Sequence, residues 1–367
     1  MSRAEIGEYP QAAVRRSSVT RIGALTTWAT SALLASLLAA CSHLPLSDGT
    51  EIVVDNPTGA DLWLHRAKRD GWDPPRALGS ARAHHLRLSI GRYALSDRPE
   101  RQSVPLPVLP AELGYEPQPM RATFLPPPPP EPGWRWIPAG PFLLGDRLGV
   151  GQEDERPVRT PETAGFWLAA HETTNAQYAQ FLNALPKDRV DASWLDFGGR
   201  KCRVRLDEES GRYVTDAPTL PVVTVSAAGA DAYCRWRTDA TDVPHRLPTE
   251  AEWEKAARGP GSRVYAYGDT CATLHANQES GALAPVGGYA PNGFGLYDMT
   301  GNAFEWTADV YVSGRARDPD AGKFRALRGG SFLLDGVFVR NAMRMRLRPS
   351  VRADDVGFRV LRANSAR

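Results

Sequence analysis

The stretch Gly295-Leu296-Tyr297-Asp298-Met299-Thr300-Gly301-Asn302-Ala303-Phe304-Glu305-Trp306 decides how the rest of the chain is read. Two carboxylates, two glycines and three aromatics fall within a dozen residues, which reads as an ordered loop. Asp298 and Glu305 bracket Gly301 and Ala303, whose free carbonyls can join the carboxylates around a hard cation that prefers oxygen, such as calcium. An acidic turn beside a core tryptophan accounts for the same residues, so both readings stay open here.

Six further pieces lie along the chain, four before this stretch and two after it. They are Trp136-Ile137-Pro138-Ala139-Gly140-Pro141-Phe142, His171-Glu172-Thr173-Thr174-Asn175-Ala176-Gln177-Tyr178, Pro221-Val222-Val223-Thr224-Val225-Ser226, Arg246-Leu247-Pro248-Thr249-Glu250-Ala251-Glu252-Trp253-Glu254, Arg328-Gly329-Gly330-Ser331 and Gly357-Phe358-Arg359. Together with the loop they resemble the sulfatase-modifying-factor, or formylglycine-generating-enzyme, family, whose loop runs close to GLYDMxGNxWEW. Each piece is short, but six in register are specific. The resemblance implies a loop-rich α+β fold of C-type-lectin type over residues 134–367, braced by calcium. It assigns Asp298, Gly301, Ala303 and Glu305 to one calcium site. A second would begin near Ala276-Asn277, where the Asp-Gly-Phe element that usually continues it is missing.

The same resemblance implies an oxidase that converts a cysteine of a nascent sulfatase, using copper held by two thiolates shortly after Gly-Gly-Ser. A soft thiolate pair selects monovalent copper, which can activate oxygen. Here Ser331-Phe332-Leu333-Leu334-Asp335-Gly336-Val337-Phe338-Val339-Arg340 contains no cysteine, and the thiolate positions fall on Leu334 and Val339. Copper is not expected. No catalytic residue is assigned. Ser331, which matches the family's helper serine, comes nearest, but a serine without a base beside it is ordinarily structural. The histidines show no two-histidine, one-carboxylate spacing for iron, and neither a Gly-x-Ser-x-Gly elbow nor a phosphate-cradling loop occurs.

Arg340, Arg344, Arg346, Arg348 and Arg352 form a basic run. Guanidinium groups pair bidentately with carboxylate or phosphate, so Arg340 and Arg344, with Phe304 in place of the family's loop tryptophan, are the candidate ligand-binding residues. The family commonly carries Arg-x-Ala-x-Arg as internal framework, which accounts for the same arginines.

Residues 1–40 read as a lipoprotein signal peptide. Arg15, Arg16 and Arg21 precede an uncharged, mostly apolar run from Ile22 to Ala40, and Leu38-Ala39-Ala40-Cys41 resembles a lipobox that lipidates Cys41. Such an anchor holds a protein on a membrane outside the cytoplasm, and Ser42 resembles outer-membrane sorting. Only Cys202, Cys234 and Cys271 then remain, so at most one disulfide can form. With 44 basic and 42 acidic residues the chain is nearly neutral, which gives no support for nucleic-acid binding.

Residues 41–100 read as a small β module of short strands, Ile52-Val53-Val54, Asp61-Leu62-Trp63-Leu64, Leu86-Arg87-Leu88-Ser89-Ile90 and Tyr93-Ala94-Leu95. It is similar to PEGA-type sandwiches, through Pro57-Thr58-Gly59-Ala60 and Ile90-Gly91-Arg92-Tyr93. Residues 101–133, ending in Pro126 to Pro130, read as a stiff proline-rich linker. Beyond Trp134, helices are expected from Thr174 or Asn175, from Ser226, and from the capping box Thr249-Glu250-Ala251-Glu252 to Gly259.

The expected function is recognition of a protein or small-molecule ligand by a lipid-anchored cell-envelope protein. One alternative is a divergent oxidoreductase of the family that uses Cys202, Cys234 or Cys271. Another is a diversified surface over Phe332 to Val356, as in the variable proteins of diversity-generating retroelements.

Overall fold

A computed structural model describes residues 50–68, 71–88, 91–100, 104–108, 120–125, 127–314 and 318–364. The expected signal peptide of residues 1–40 and the lipidation candidate Cys41 lie outside them. Among the described residues no helix is long and apolar enough to cross a membrane.

Among the described residues the N-terminal module has eight strands: β1 (Thr50–Asp55), β2 (Leu62–Lys68), β3 (Gly71–Trp72), β4 (Arg76–Gly79), β5 (Ala83–Leu88), β6 (Gly91–Ser96), β7 (Val104–Val108) and β8 (Met120–Thr123). One sheet runs β5-β1-β8, and the other runs β3-β2-β6-β7 with β4 also on β2. Alternate side chains face a shared core that includes Ile52, Val54, Leu62, Leu64, Leu95 and Leu106, the period-two pattern of half-buried strands. The linker expected over residues 101–133 is corrected here: β7 and β8 belong to the module. Val104-Pro105-Leu106-Pro107-Val108 pairs with β6 as an edge strand, where proline is tolerated because one side of the strand needs no partner.

The body adds β9 (Trp134–Ile137), β10 (Gly140–Pro141), β11 (Glu162–Thr163), β12 (Phe166–Ala169), β13 (Val204–Asp207), β14 (Arg212–Thr215), β15 (His245–Arg246), β16 (Phe304–Val310), β17 (Arg325–Arg328), β18 (Met345–Leu347), β19 (Val356–Gly357) and β20 (Leu361–Ala363). Two four-stranded sheets, β15-β20-β12-β9 and β18-β17-β16-β19, carry it. Its helices are α1 (Asn175–Ala184), α2 (Ala227–Thr241) and α3 (Glu250–Arg258). Each starts where its cap was expected. Thr174, Ser226 and Thr249 accept from backbone N–H groups of the first turn, satisfying donors that a helix end leaves open. Gly259, at φ +63°, ends α3. Tyr178, Phe181 and Leu182 of α1 meet Tyr233 of α2 in the largest core, and Trp253, Ala256 and Ala257 of α3 pack on Ile137, Leu168 and Leu361 in another.

Asp269 is the centre of the polar contacts between the module and the body, and β7 and β8 also pack against β10. Asp269 lies 2.8 Å from Arg92 of β6, 2.9 Å from Arg147 and 2.9 Å from Arg263. Arg92 also donates to the Gly261 carbonyl, and Arg263 to the carbonyls of Lys68 and Gly71. Burial opposes charge on Asp269, yet Arg92, Arg147 and Arg263 outweigh it and hold the carboxyl below the usual carboxylate range. A depressed folded pKa stabilises above the unfolded value of about 3.9 and is lost as pH falls through the folded one. Docking is therefore expected to persist from neutral pH to about pH 4. Asp269→Ala is expected to cost about 2 kcal/mol and to speed amide exchange at Arg92, Lys68, Gly71 and Trp72. Unchanged exchange there would contradict this account of docking.

Candidate functional site

The organising loop enters β16, and its backbone explains several of its residue types. Asp298, Gly301 and Asn302 all have positive φ, at +56°, +77° and +60°, a region that glycine, asparagine and aspartate tolerate best. Asn277 and Gly301 form a parallel bridge. The Asn277 carbonyl accepts from Asn302 N–H at 2.8 Å, and Asn277 Nδ2 donates to Asn302 Oδ1 at 2.9 Å. Asp298 Oδ2 accepts from Gly287 N–H at 2.6 Å.

Glu305 is fully buried on β16 and paired with the equally buried Arg359. Arg359 Nη2 donates to Oε1 at 2.6 Å and Nε to Oε2 at 2.7 Å, while Trp253 Nε1 also donates to Oε2 at 2.7 Å. Glu172, from His171-Glu172-Thr173, enters the same region and accepts from Asn302 Nδ2 and Ala303 N–H. Burial, together with the charges of Asp298 and Glu305, pushes Glu172 well above the usual carboxylate range. Burial raises Asp298 as well. Beside it His171 stacks on Tyr297 at 4.6 Å, and burial, aided by Arg359 and Arg135, pulls this histidine down to about 4.

The fold thus brings Asn277, Asp298, Gly301, Ala303 and Glu305 together and adds Glu172 and Arg359, which sequence reasoning did not assign to a site. Both stood in family-like motifs, and that was the signal available. Three carboxylates, those of Glu172, Asp298 and Glu305, here share one guanidinium, that of Arg359. Glu305 is already engaged by Arg359 and Trp253. Among the described residues no three His, Cys, Asp or Glu side chains converge as a metal cage, so an ion here depends on Asp298 and backbone carbonyls.

The segment after Gly329-Gly330-Ser331 presents no soft ligand. Leu334 and Val339 are buried at 3% and 0% exposure and join the large core. Ser331 is fully buried and donates to Asp355 Oδ2 at 2.8 Å. With its hydroxyl spent on a carboxylate it acts as framework. Cys202, Cys234 and Cys271 are unpaired thiols; burial pushes those of Cys202 and Cys234 upward, which opposes the nucleophilic thiolate.

Two expected ligand-binding residues are corrected. Phe304 is 1% exposed in the core of β16. Arg340 is 2% exposed, with Nη1 2.8 Å and Nη2 3.0 Å from the Glu155 carboxylate, a bidentate pairing that consumes its fork. Neither has surface to offer. Arg344 does line an open cleft, although its guanidinium is held by Glu250 at 2.6 and 2.9 Å and stacks on Tyr311. Most of Phe332 to Val356 is buried or half-buried, with Leu333, Asp335, Val337, Pro349 and Ser350 exposed.

Residues 123–364 match the sulfatase-modifying factor enzyme 1-like domain. The formylglycine-generating enzyme of Streptomyces coelicolor is 32% identical over 280 residues, covering 61% of this chain and 87% of that protein. The serine/threonine-protein kinase Pkn1 of Chlamydia trachomatis is 35% identical over 238 residues, again 61% of this chain, which spans 37% of the kinase's length. Among solved structures, PvdO from Pseudomonas aeruginosa superposes with a TM-score of 0.51 at 28% identity, covering 63% of this chain and 94% of that one. The loop-rich α+β body, its loop joined to Glu172 and Arg359, and the matched span lead to one conclusion: the chain belongs to the sulfatase-modifying factor enzyme 1-like family.

Proposed function

We propose that the family domain of this chain has given up copper-dependent thiol oxidation and serves recognition of a protein or small-molecule ligand. The observation that carries the reading is the pair of buried hydrocarbon side chains, Leu334 and Val339, at the positions where the family resemblance puts copper thiolates. A hydrocarbon offers monovalent copper no lone pair. The lipobox-like Leu38-Ala39-Ala40-Cys41 supports placement of this recognition body on the bacterial cell envelope, held by lipid on Cys41, with outer-membrane sorting suggested by Ser42. Calcium acts as a brace in this reading, held by Asp298 with the carbonyls of Gly301 and Ala303. It would supply positive charge to a region rich in buried carboxylate.

One assay tests both parts. Purified full chain, analysed for metals, is expected to carry calcium and no copper, and saturating calcium is expected to raise its melting temperature by roughly 5 °C over the chelated protein. Stoichiometric copper(I), or conversion of a sulfatase-derived thiol peptide to the aldehyde, would end the recognition reading. A melting temperature indifferent to chelator would remove the brace alone.

A further inference from the structure

Away from the loop, a cleft of about 610 Å³ opens between the segment around Asp154, the start of α3 and the end of β16. Its volume lies in the range of small-ligand sites. Val310 and Val312 stand exposed on its rim.

The lining sets Asp154, Glu155, Glu250, Glu254 and Asp309 against Arg328 and Arg344, with Arg156 and Arg159 exposed to solvent. Glu250 is taken by Arg344, and Glu254 by Arg258 and Arg328. Glu155 is taken by Arg340 from behind. That leaves Asp309 with no ion pair among the described residues and Asp154 with only the longer contact to Arg344 that it shares with Glu250. Asp154 has a side chain only 8% exposed. Its Oδ2 accepts from the Tyr311 hydroxyl and lies 3.7 Å from Arg344 Nη1, while its Oδ1 is buried with no hydrogen-bond partner. Asp309 Oδ2 accepts from Glu250 N–H at 2.6 Å. Burial, with the neighbouring charges of Glu250 and Glu252, raises Asp309 above the usual carboxylate range. A second lining residue, Arg328, keeps its Nε buried and unpartnered.

A buried carboxylate oxygen without a donor is costly unless something supplies one. We propose that this cleft binds an organic cation, the guanidinium or ammonium end of a basic peptide side chain, with the charge on Asp154 and Asp309 and the alkyl stem against Val310 and Val312. Arg328 Nε offers one hydrogen bond to a carbonyl oxygen of the same ligand. Charged heads on apolar stems bind in this divided manner, stem on hydrocarbon and head on polar groups. The cation is then the ligand of the recognition role proposed above, and the assignment rests on that reading.

The test is calorimetric titration of the full chain at low salt with two probes, agmatine for a free amine and N-acetyl-arginine methylamide for a peptide. Saturable binding of at least one is expected, weakened at least about tenfold in Asp154→Asn and unchanged in Asp188→Asn, an exposed charge elsewhere. Tighter binding of the amide assigns the ligand to peptides, and equal binding to free amines. No saturation by either probe up to about 10 mM, or full affinity in Asp154→Asn, would overturn the assignment. Should Asp154→Asn not fold, Asp309→Asn decides in the same way, since its amide oxygen still accepts from Glu250 N–H. Copper oxidation of a thiol peptide would defeat the recognition reading without changing these affinities, so the two failures are separable.

Discussion

Glu305→Ala is expected to lower the unfolding free energy of the body by about 3–5 kcal/mol, the range found when one partner of a buried ion pair is removed. The cost comes from what remains. Arg359 is fully buried and would keep its carbonyl partners Tyr297, Ala169 and Ala170, but the carboxylate bonded at 2.6 to 2.9 Å would be gone. Trp253 Nε1 would lose its acceptor as well. Glu305→Gln keeps an oxygen for Trp253 and removes the charge, so it is expected to fall between wild type and Glu305→Ala. Removing both charges, in Glu305→Ala with Arg359→Met, is expected to recover part of the loss, because no charge is then left alone. Urea unfolding of the three variants measures these differences. A loss under about 1 kcal/mol in Glu305→Ala would mean that the pair is exchanging with solvent, against the burial described.

Gly301→Ala should be nearly as damaging, for a backbone reason. A Cβ on Gly301 would lie 2.2 Å from the Asn277 carbonyl oxygen and 2.9 Å from its carbon. That carbonyl is fixed by Asn302 N–H at 2.8 Å, so it has little room to retreat. The φ of +77° adds left-handed strain of about 1–2 kcal/mol, and the collision adds a further overpacking cost of about 1–3 kcal/mol. A total of at least about 3 kcal/mol is expected. Gly149→Ala provides the comparison, having φ +70° and no neighbour within 4 Å, and should cost about 1 kcal/mol. Equal melting temperatures for the two alanine variants would show that proximity to Asn277 is not what selects glycine.

The helices were legible because their information is local. A cap such as Thr249 with Glu252 and an inward stripe such as Trp253, Ala256 and Ala257 lie within one short stretch. Strand partners are set by residues far apart, and β7 was hidden by its prolines, which read as linker until an edge position makes them harmless. The buried arginines were the least legible. Hydropathy places a guanidinium outside, and Arg340 goes inside only because Glu155, 185 residues earlier, comes to meet it. The calcium reading met the same obstacle: nothing local to the loop reveals that Glu305 is shared with Arg359, 54 residues later. Its glycine was legible as a loop residue, while Asn277, which makes glycine necessary, lies on another segment.

β1, the first described strand, lies beside β8, the last strand before the body, in parallel register from Ile52 with Met120 to Asp55 with Thr123. Traction between the start of β1 and the body therefore pulls along both strands in opposite senses. The ladder bonds lie across that direction and share the load, so they must yield together rather than opening in sequence like a zip. The module is built as a mechanical clamp in series with the body.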